Sequence, residues 1–249
     1  APVTTEDDGN LNLSDIDILI VASPKERIND VERNAITNFL NNGGKAFFNI
    51  EPVLVDFQQL GGLKNRNSFN DYIQEQFGVI IEDNLVYDLQ ANETISFSTG
   101  ASGNVFLPYP YWAKSQVLDK KVGGDVRTVV MPWASSIGIL DLPGSQYNIE
   151  PLIATTDYAS IDESYRNLNP NSPVLSDPLQ QTFFRSDLAV TAENKAGSRV
   201  VITGDSDWVS QNAIQRFSGN ALLALNLLDW LAQEDNLASV RSKVVLQRS

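Results

Sequence analysis

A chain of 249 residues with 42% hydrophobic content is long enough to bury a large core and too apolar to be disordered. Without cysteine it excludes disulfides, thiolate nucleophiles and zinc–thiolate sites; without histidine it lacks the commonest general base and transition-metal ligand. With 18 basic residues against 31 acidic ones the formal charge is −13, and Lys120-Lys121 is the only adjacent basic pair, which argues against a nucleic-acid partner.

The first residues, 1–12, read as a polar, acidic tail carrying Glu6, Asp7 and Asp8, and residues 13–249 as a single α/β domain. The chain opens on Ala1-Pro2 with no initiator methionine or signal peptide, as expected of a processed protein or an excised segment. No apolar run approaches the roughly 18–20 residues that span a bilayer. Ile16 to Ala22 is continuously apolar except for Asp17, the mark of a strand buried on both faces. Asn29 and Glu32 have the spacing of a capping box, and Val31, Ala35, Ile36, Phe39 and Leu40 recur at helical spacing before Gly43-Gly44 stops the helix. Lys45 to Ile50 completes a βαβ unit whose strands should be parallel.

A second helix is expected from Ser68, with Phe69, Tyr72, Ile73 and Phe77 as its stripe, followed by short strands at Val79–Ile81 and Leu85–Tyr87. Residues 90–182 are loop-rich and β-leaning; the strands expected there include Thr128–Met131 and Leu152–Thr155, and Pro170, Pro173 and Pro178 punctuate an unassigned stretch. Asp187–Ala192 and Arg199–Thr203 flank the turn Asn194-Lys195-Ala196-Gly197 as a β-hairpin, and a helix over Asn220–Gln233 closes the pattern. The expected fold is one mixed, mainly parallel sheet with helices on both faces and a loop-rich insertion.

Ligands of open α/β sheets sit beyond the carboxyl ends of parallel strands. Here those ends carry Ser23, Glu51, Asp205 and Asp207, an acidic, hydroxyl-bearing set suited to a hard cation or a polyhydroxyl ligand. The competing reading is that the aspartates cap a following turn while Glu51 is solvated. No metal site or cofactor is assigned. Ala134-Ser135-Ser136-Ile137-Gly138 comes near a nucleophile elbow, yet no Ser-His-Asp triad can form without histidine, and no Ser-x-x-Lys occurs. A buried loop serine is the better reading. Leu107-Pro108-Tyr109-Pro110-Tyr111-Trp112 is stiff and rich in flat apolar faces. Tyr109, Tyr111 and Trp112 either stack on a sugar or dock a partner, or else cover the core beneath a long loop.

Several blocks together resemble the extracytoplasmic domain of the gliding-motility-type (GldG-like) auxiliary component of ABC transporters, an uncharacterised ABC-type transport system. They are Asp17-Ile18-Leu19-Ile20-Val21-Ala22-Ser23-Pro24-Lys25, Phe39 to Lys45, Asn49-Ile50-Glu51-Pro52, Phe77 to Val86, Ser198 to Trp208, Gly219-Asn220 and Asn226 to Ala232. The resemblance implies a flavodoxin-like, class I glutamine-amidotransferase-like fold stripped of that superfamily's cysteine and histidine. It also implies a location outside the cytoplasmic membrane, periplasmic or at the cell surface, with a membrane anchor beyond Ser249. The implied partners are a permease or other membrane subunits of an ABC transporter, with a small polar ligand open. It supplies no catalytic residue, and it points to the surface around Asp205, Asp207 and Asn220. The expected function is therefore non-catalytic, by protein docking or ligand capture. A carbohydrate-binding or carbohydrate-active protein and the solute-binding protein of an importer are the alternatives.

Overall fold

A computed structural model describes residues 11–98, 103–140, 142, 144–176 and 181–233. The acidic run Glu6 to Asp8, Pro178 and everything beyond Gln233 lie outside the described residues. No described helix is long and apolar enough to cross a membrane.

The N-terminal unit forms as its pattern dictates. Strand β1 (Ile18–Ala22) leads to α1 (Asp30–Asn41), which opens on a full capping box. Asn29 Oδ1 accepts from the Glu32 N–H, and the Glu32 carboxylate accepts from the Asn29 N–H, each at 2.9 Å. After α1, Gly43 turns the chain at φ +85°, and a Cβ there would lie 2.8 Å from the Ala196 carbonyl oxygen. That position admits only glycine. Strand β2 (Lys45–Asn49) then runs parallel to β1, with Ile18 opposite Lys45 and Ala22 opposite Asn49.

Next come the hairpin strands β3 (Val53–Asp56) and β4 (Gly61–Lys64), α2 (Phe69–Phe77), and the short β5 (Val79–Ile81) and β6 (Leu85–Asp88). β7 (Asn92–Ser98) and β8 (Asn104–Val117) form a long hairpin, followed by α3 (Lys120–Gly123), β9 (Thr128–Pro132), β10 (Ile137–Ile139), β11 (Tyr147–Ala154) and β12 (Ala159–Asp162). The last elements are α4 (Pro173–Ser176), β13 (Asp187–Asn194), β14 (Arg199–Thr203), a 3-10 turn at Asp207–Val209, α5 (Gln211–Arg216) and α6 (Ser218–Ala232).

The main sheet follows the order β1-β2-β14-β13-β11-β8-β7, with β9 on β8 and with β10 joining β13 to β5. Only β1–β2 and β2–β14 are parallel; every other pairing among the described residues is antiparallel. This corrects the expected fold, a mainly parallel, flavodoxin-like and amidotransferase-like sheet with helices on both faces, in the direction of its strands and in its share of helix. The molecule is built on a mixed, mostly antiparallel sheet with more strand than helix. Hairpins are the physical reason. β13 and β14, joined by a tight turn, must run antiparallel, and the stretch expected to be loop-rich supplies the strands β7 to β12.

β8 shows why that stretch was misleading. Pro108 pairs with β7 alone, Pro110 falls in the break of that register between Tyr109 and Ala113, and β9 joins the other side only from Trp112 onward. Proline, lacking an N–H, is tolerated where one side of a strand carries no ladder.

Three apolar clusters fill the interior. α1 and α2 cover one face of the parallel strands through Ile36, Leu40, Ile73 and Phe77 against Phe48, Val200 and Ile202. α6 covers the other face through Leu223, Leu227 and Leu231 against Phe47, Val201 and Trp208. The third is aromatic: Tyr87, Tyr109 and Tyr111 with Val53, Leu85, Ile95 and Leu168.

Candidate functional site

The three parallel strands end side by side, and their last residues meet. Oxygens of Glu51, Asp205 and Asp207 come within 4.8 Å of one another. Ser23, just past β1, is held in the left-handed region at φ 45°. Its hydroxyl donates to Glu51 Oε2 at 2.5 Å, while the Ser206 hydroxyl donates to Glu51 Oε1. Lys25, largely exposed, sits 3.7 Å from the same carboxylate. Ser206 and Lys25 were not singled out from the sequence, although Ser206 lies in the block that carries the two aspartates and Lys25 in the block that carries Ser23.

The two aspartates differ. Asp205 is buried, and its carboxylate accepts the backbone N–H groups of Asp207 at 2.6 Å and Trp208 at 3.2 Å, opening the 3-10 turn. Burial pushes its pKa well up, the charges of Asp207 and Glu51 add to the rise, and the two N–H donors oppose it. Asp207 is pushed up to about 6, first by burial and then by Glu51, with Lys25 opposing. Among the described residues no donor reaches its carboxylate. Asp205 thus shapes the turn, and Asp207 presents an acceptor that the fold leaves unused.

The floor of the cluster is rigid. Asn49 Oδ1 accepts from Trp208 Nε1 at 3.1 Å, and Thr203 Oγ1 lies 3.0 Å from that oxygen and 2.7 Å from the Asp205 carbonyl. At Gly204 a Cβ would fall 2.3 Å from the Ser135 carbonyl oxygen, so glycine is what lets the two segments touch. Ser135 is itself buried, its N–H donating to Gly204 O at 2.8 Å and its hydroxyl to Asn84 O at 2.7 Å. The elbow-like serine is thereby committed to structure.

Asn220 lies apart from the carboxylates in role. Its side-chain oxygen accepts from the Val130 N–H at 2.9 Å, and its Nδ2 donates to Val130 O and Trp208 O, each at 2.8 Å. Fully buried, it clamps the start of α6 to β9 and to the 3-10 turn as a missing strand partner would.

Tyr109 and Tyr111 are fully buried. The Tyr111 hydroxyl donates to Asp162 Oδ2 at 2.8 Å, and the Tyr109 hydroxyl accepts from Trp133 Nε1 at 3.1 Å. Trp112 is half-buried and meets Trp133 edge-on at 5.3 Å between centroids, while the exposed Phe57 lies 5.6 Å from Trp133. The Arg216 guanidinium already caps this face, 5.2 Å from the Trp112 ring centre.

Comparison with known proteins places these features in a family. A curated relative, an uncharacterized protein of Borreliella burgdorferi (strain ATCC 35210 / DSM 4680 / CIP 102532 / B31), is 20% identical over 245 residues, covering 93% of this chain and 48% of its own. The chain therefore spans about half the length of that relative. Among solved structures, the mmIFT52 N-terminal domain is similar at a TM-score of 0.59 and 14% identity, over 90% of this chain and 80% of that one, a likeness of fold alone. A ThuA-like protein from Bacteroides uniformis ATCC 8492 matches at a TM-score of 0.41 and 14% identity, over 90% and 72% of the two chains. The family model described as "ABC-type uncharacterized transport system" matches residues 2–227, and on that match the chain belongs to this family.

Proposed function

We propose that this chain is a non-catalytic domain of an ABC transport system's auxiliary component. It works outside the cytoplasmic membrane beside the permease or another membrane subunit, and it captures a small cationic or polyhydroxyl ligand at its acidic strand ends. The Asp207 carboxylate carries this reading: partly buried, raised to about 6, and without a donor among the described residues. A carboxylate so held binds a donor or cation at less cost than a fully hydrated one, because folding has already removed part of its water. Glu51, with both oxygens fixed by serine hydroxyls, is pre-set beside it. Ser23 and Asp205 hold the frame, and Asn220 supports it from behind. Family membership and the absence of histidine and cysteine from the whole chain favour binding over catalysis.

Thermal melting with Ca²⁺, Mg²⁺, polyamines and a panel of neutral sugars tests it. At a hundredfold excess over Kd a ligand stabilises by about 2.7 kcal/mol, which raises Tm by several degrees. At least one class is expected to do so with the natural chain and to lose the effect with Asp207→Asn. If no compound in the panel shifts the wild-type melt, ligand capture is wrong and docking to a membrane subunit replaces it.

A further inference from the structure

We propose that the free edge of the main sheet, strand β1, pairs antiparallel with β1 of a second copy of this chain across a two-fold axis at Ile20.

β1 ends the strand order, and among the described residues no strand lies beyond it. Which backbone groups it leaves open follows from the ladder. The Ser23 N–H donates to Asn49 O, one step past the β1–β2 register, so the odd-numbered residues turn their amides towards β2. Ile18, Ile20 and Ala22 therefore turn their N–H and C=O groups outward. Natural sheets protect such an edge with a charge, a proline or a bulge within the strand. β1 reads Ile-Leu-Ile-Val-Ala and has none of these, and its register with β2 is unbroken. Ile20 is 54% exposed. Two open grooves, of about 1280 and 810 Å³, run along this edge and share Leu11, Ile16, Asp17 and Ile18.

The sequence around β1 matches itself reversed. With Ile20 opposite Ile20 of the second copy, Ile18 falls opposite Ala22, and all the outward backbone groups of the strand pair in both directions. A shift of one residue would set outward groups against inward ones, and a shift of two towards the C-terminus would bring Pro24, which has no N–H, into the ladder. In the same register the acidic entry to the strand, at Asp15 and Asp17, approaches Lys25 and Arg27, which flank Glu26 and leave the exit with a net positive charge, all five residues being exposed. The match occurs twice by symmetry. Such self-complementarity, apolar in the middle and opposite in charge at the ends, fits a second copy better than an unrelated strand.

Sedimentation of the whole chain across the micromolar to millimolar range tests this, read against two variants. The wild-type chain is expected to show a monomer–dimer equilibrium, and Ile20→Lys to raise the dissociation constant at least about tenfold, with an unchanged melting temperature at concentrations where both chains are monomeric, because the side chain is exposed. Since the chain has no cysteine, Ile20→Cys supplies a second measurement that does not depend on the lysine variant folding. Paired Cα atoms in such a ladder lie about 5.5 Å apart, within disulfide reach, so mild oxidation should yield a covalent dimer. Leu63→Cys, at a 75% exposed site far from β1 in the chain, serves as the control for random collision. A wild-type chain that stays monomeric throughout overturns the proposal, as does Ile20→Cys cross-linking no faster than Leu63→Cys.

Discussion

Two regions of this molecule bury aspartates and treat them in opposite ways. In the aromatic region each buried carboxylate is saturated. Asp88 accepts from the N–H groups of Gln90, Ala91 and Thr156 and from the Thr156 hydroxyl; Asp162 accepts from Ser164 N–H and hydroxyl, Tyr165 N–H and Tyr111 hydroxyl. At the ends of the parallel strands, Asp205 has two donors and Asp207 none among the described residues. The fold closes turns with the first pair and leaves charge unspent with the second. Burial alone does not mark a binding carboxylate. Unused acceptor capacity does.

The largest expected effect breaks the saturated side. Asp162→Ala should cost about 3–5 kcal/mol in urea unfolding, because it strands the Tyr111 hydroxyl and two turn N–H groups in the aromatic core. A loss below about 1 kcal/mol would mean that water or a shifted turn replaces the carboxylate, and the contrast between the regions would fail. Asn220→Ala should follow at about 2–4 kcal/mol, since three buried hydrogen bonds between α6, β9 and the 3-10 turn disappear together. An Asn220→Ala chain of normal stability that no longer responded to a ligand would move Asn220 from support to contact.

The sequence exposed these two regions unequally. The βαβ unit was legible because capping box, helical stripe and glycine stop all point the same way, and the structure keeps each of them. The convergence of Ser23, Glu51, Asp205 and Asp207 followed from strand ends alone. Beyond that unit and the β13–β14 hairpin, strand direction was not legible, since a period of two is the same for parallel and antiparallel pairing. In β8 the buried Tyr109, Tyr111, Ala113 and Ser115 do alternate, but Pro108 and Pro110 read as breaks until a one-sided ladder at the first and a register break at the second explain them. Asn220 is the hardest case. An asparagine at a helix start carries the same letters whether its amide faces a ligand or brackets a strand, and only the positions of Val130 and Trp208 decide.

The smallest effect is the most specific to the unsaturated side. Asp207 holds its proton up to about pH 6 when folded, against an ordinary aspartate value of 3.8. Its contribution to stability is therefore full below about pH 4 and is lost as pH rises through 6, because the unfolded chain gives up that proton first. Asp205, raised in the same direction by burial, adds a loss of the same sign as pH rises. Asp207→Asn should flatten the part of the stability–pH curve between 4 and 7 and stabilise the chain by about 1–2 kcal/mol at pH 8. A bound cation reverses the sign: it holds the carboxylate charged, so affinity should climb with pH over the interval in which the free protein weakens. Wild-type and Asp207→Asn curves that run parallel from pH 4 to 8 would show that Asp207 is solvated like any surface acid. The difference between the two regions would then shrink to Asp205 alone.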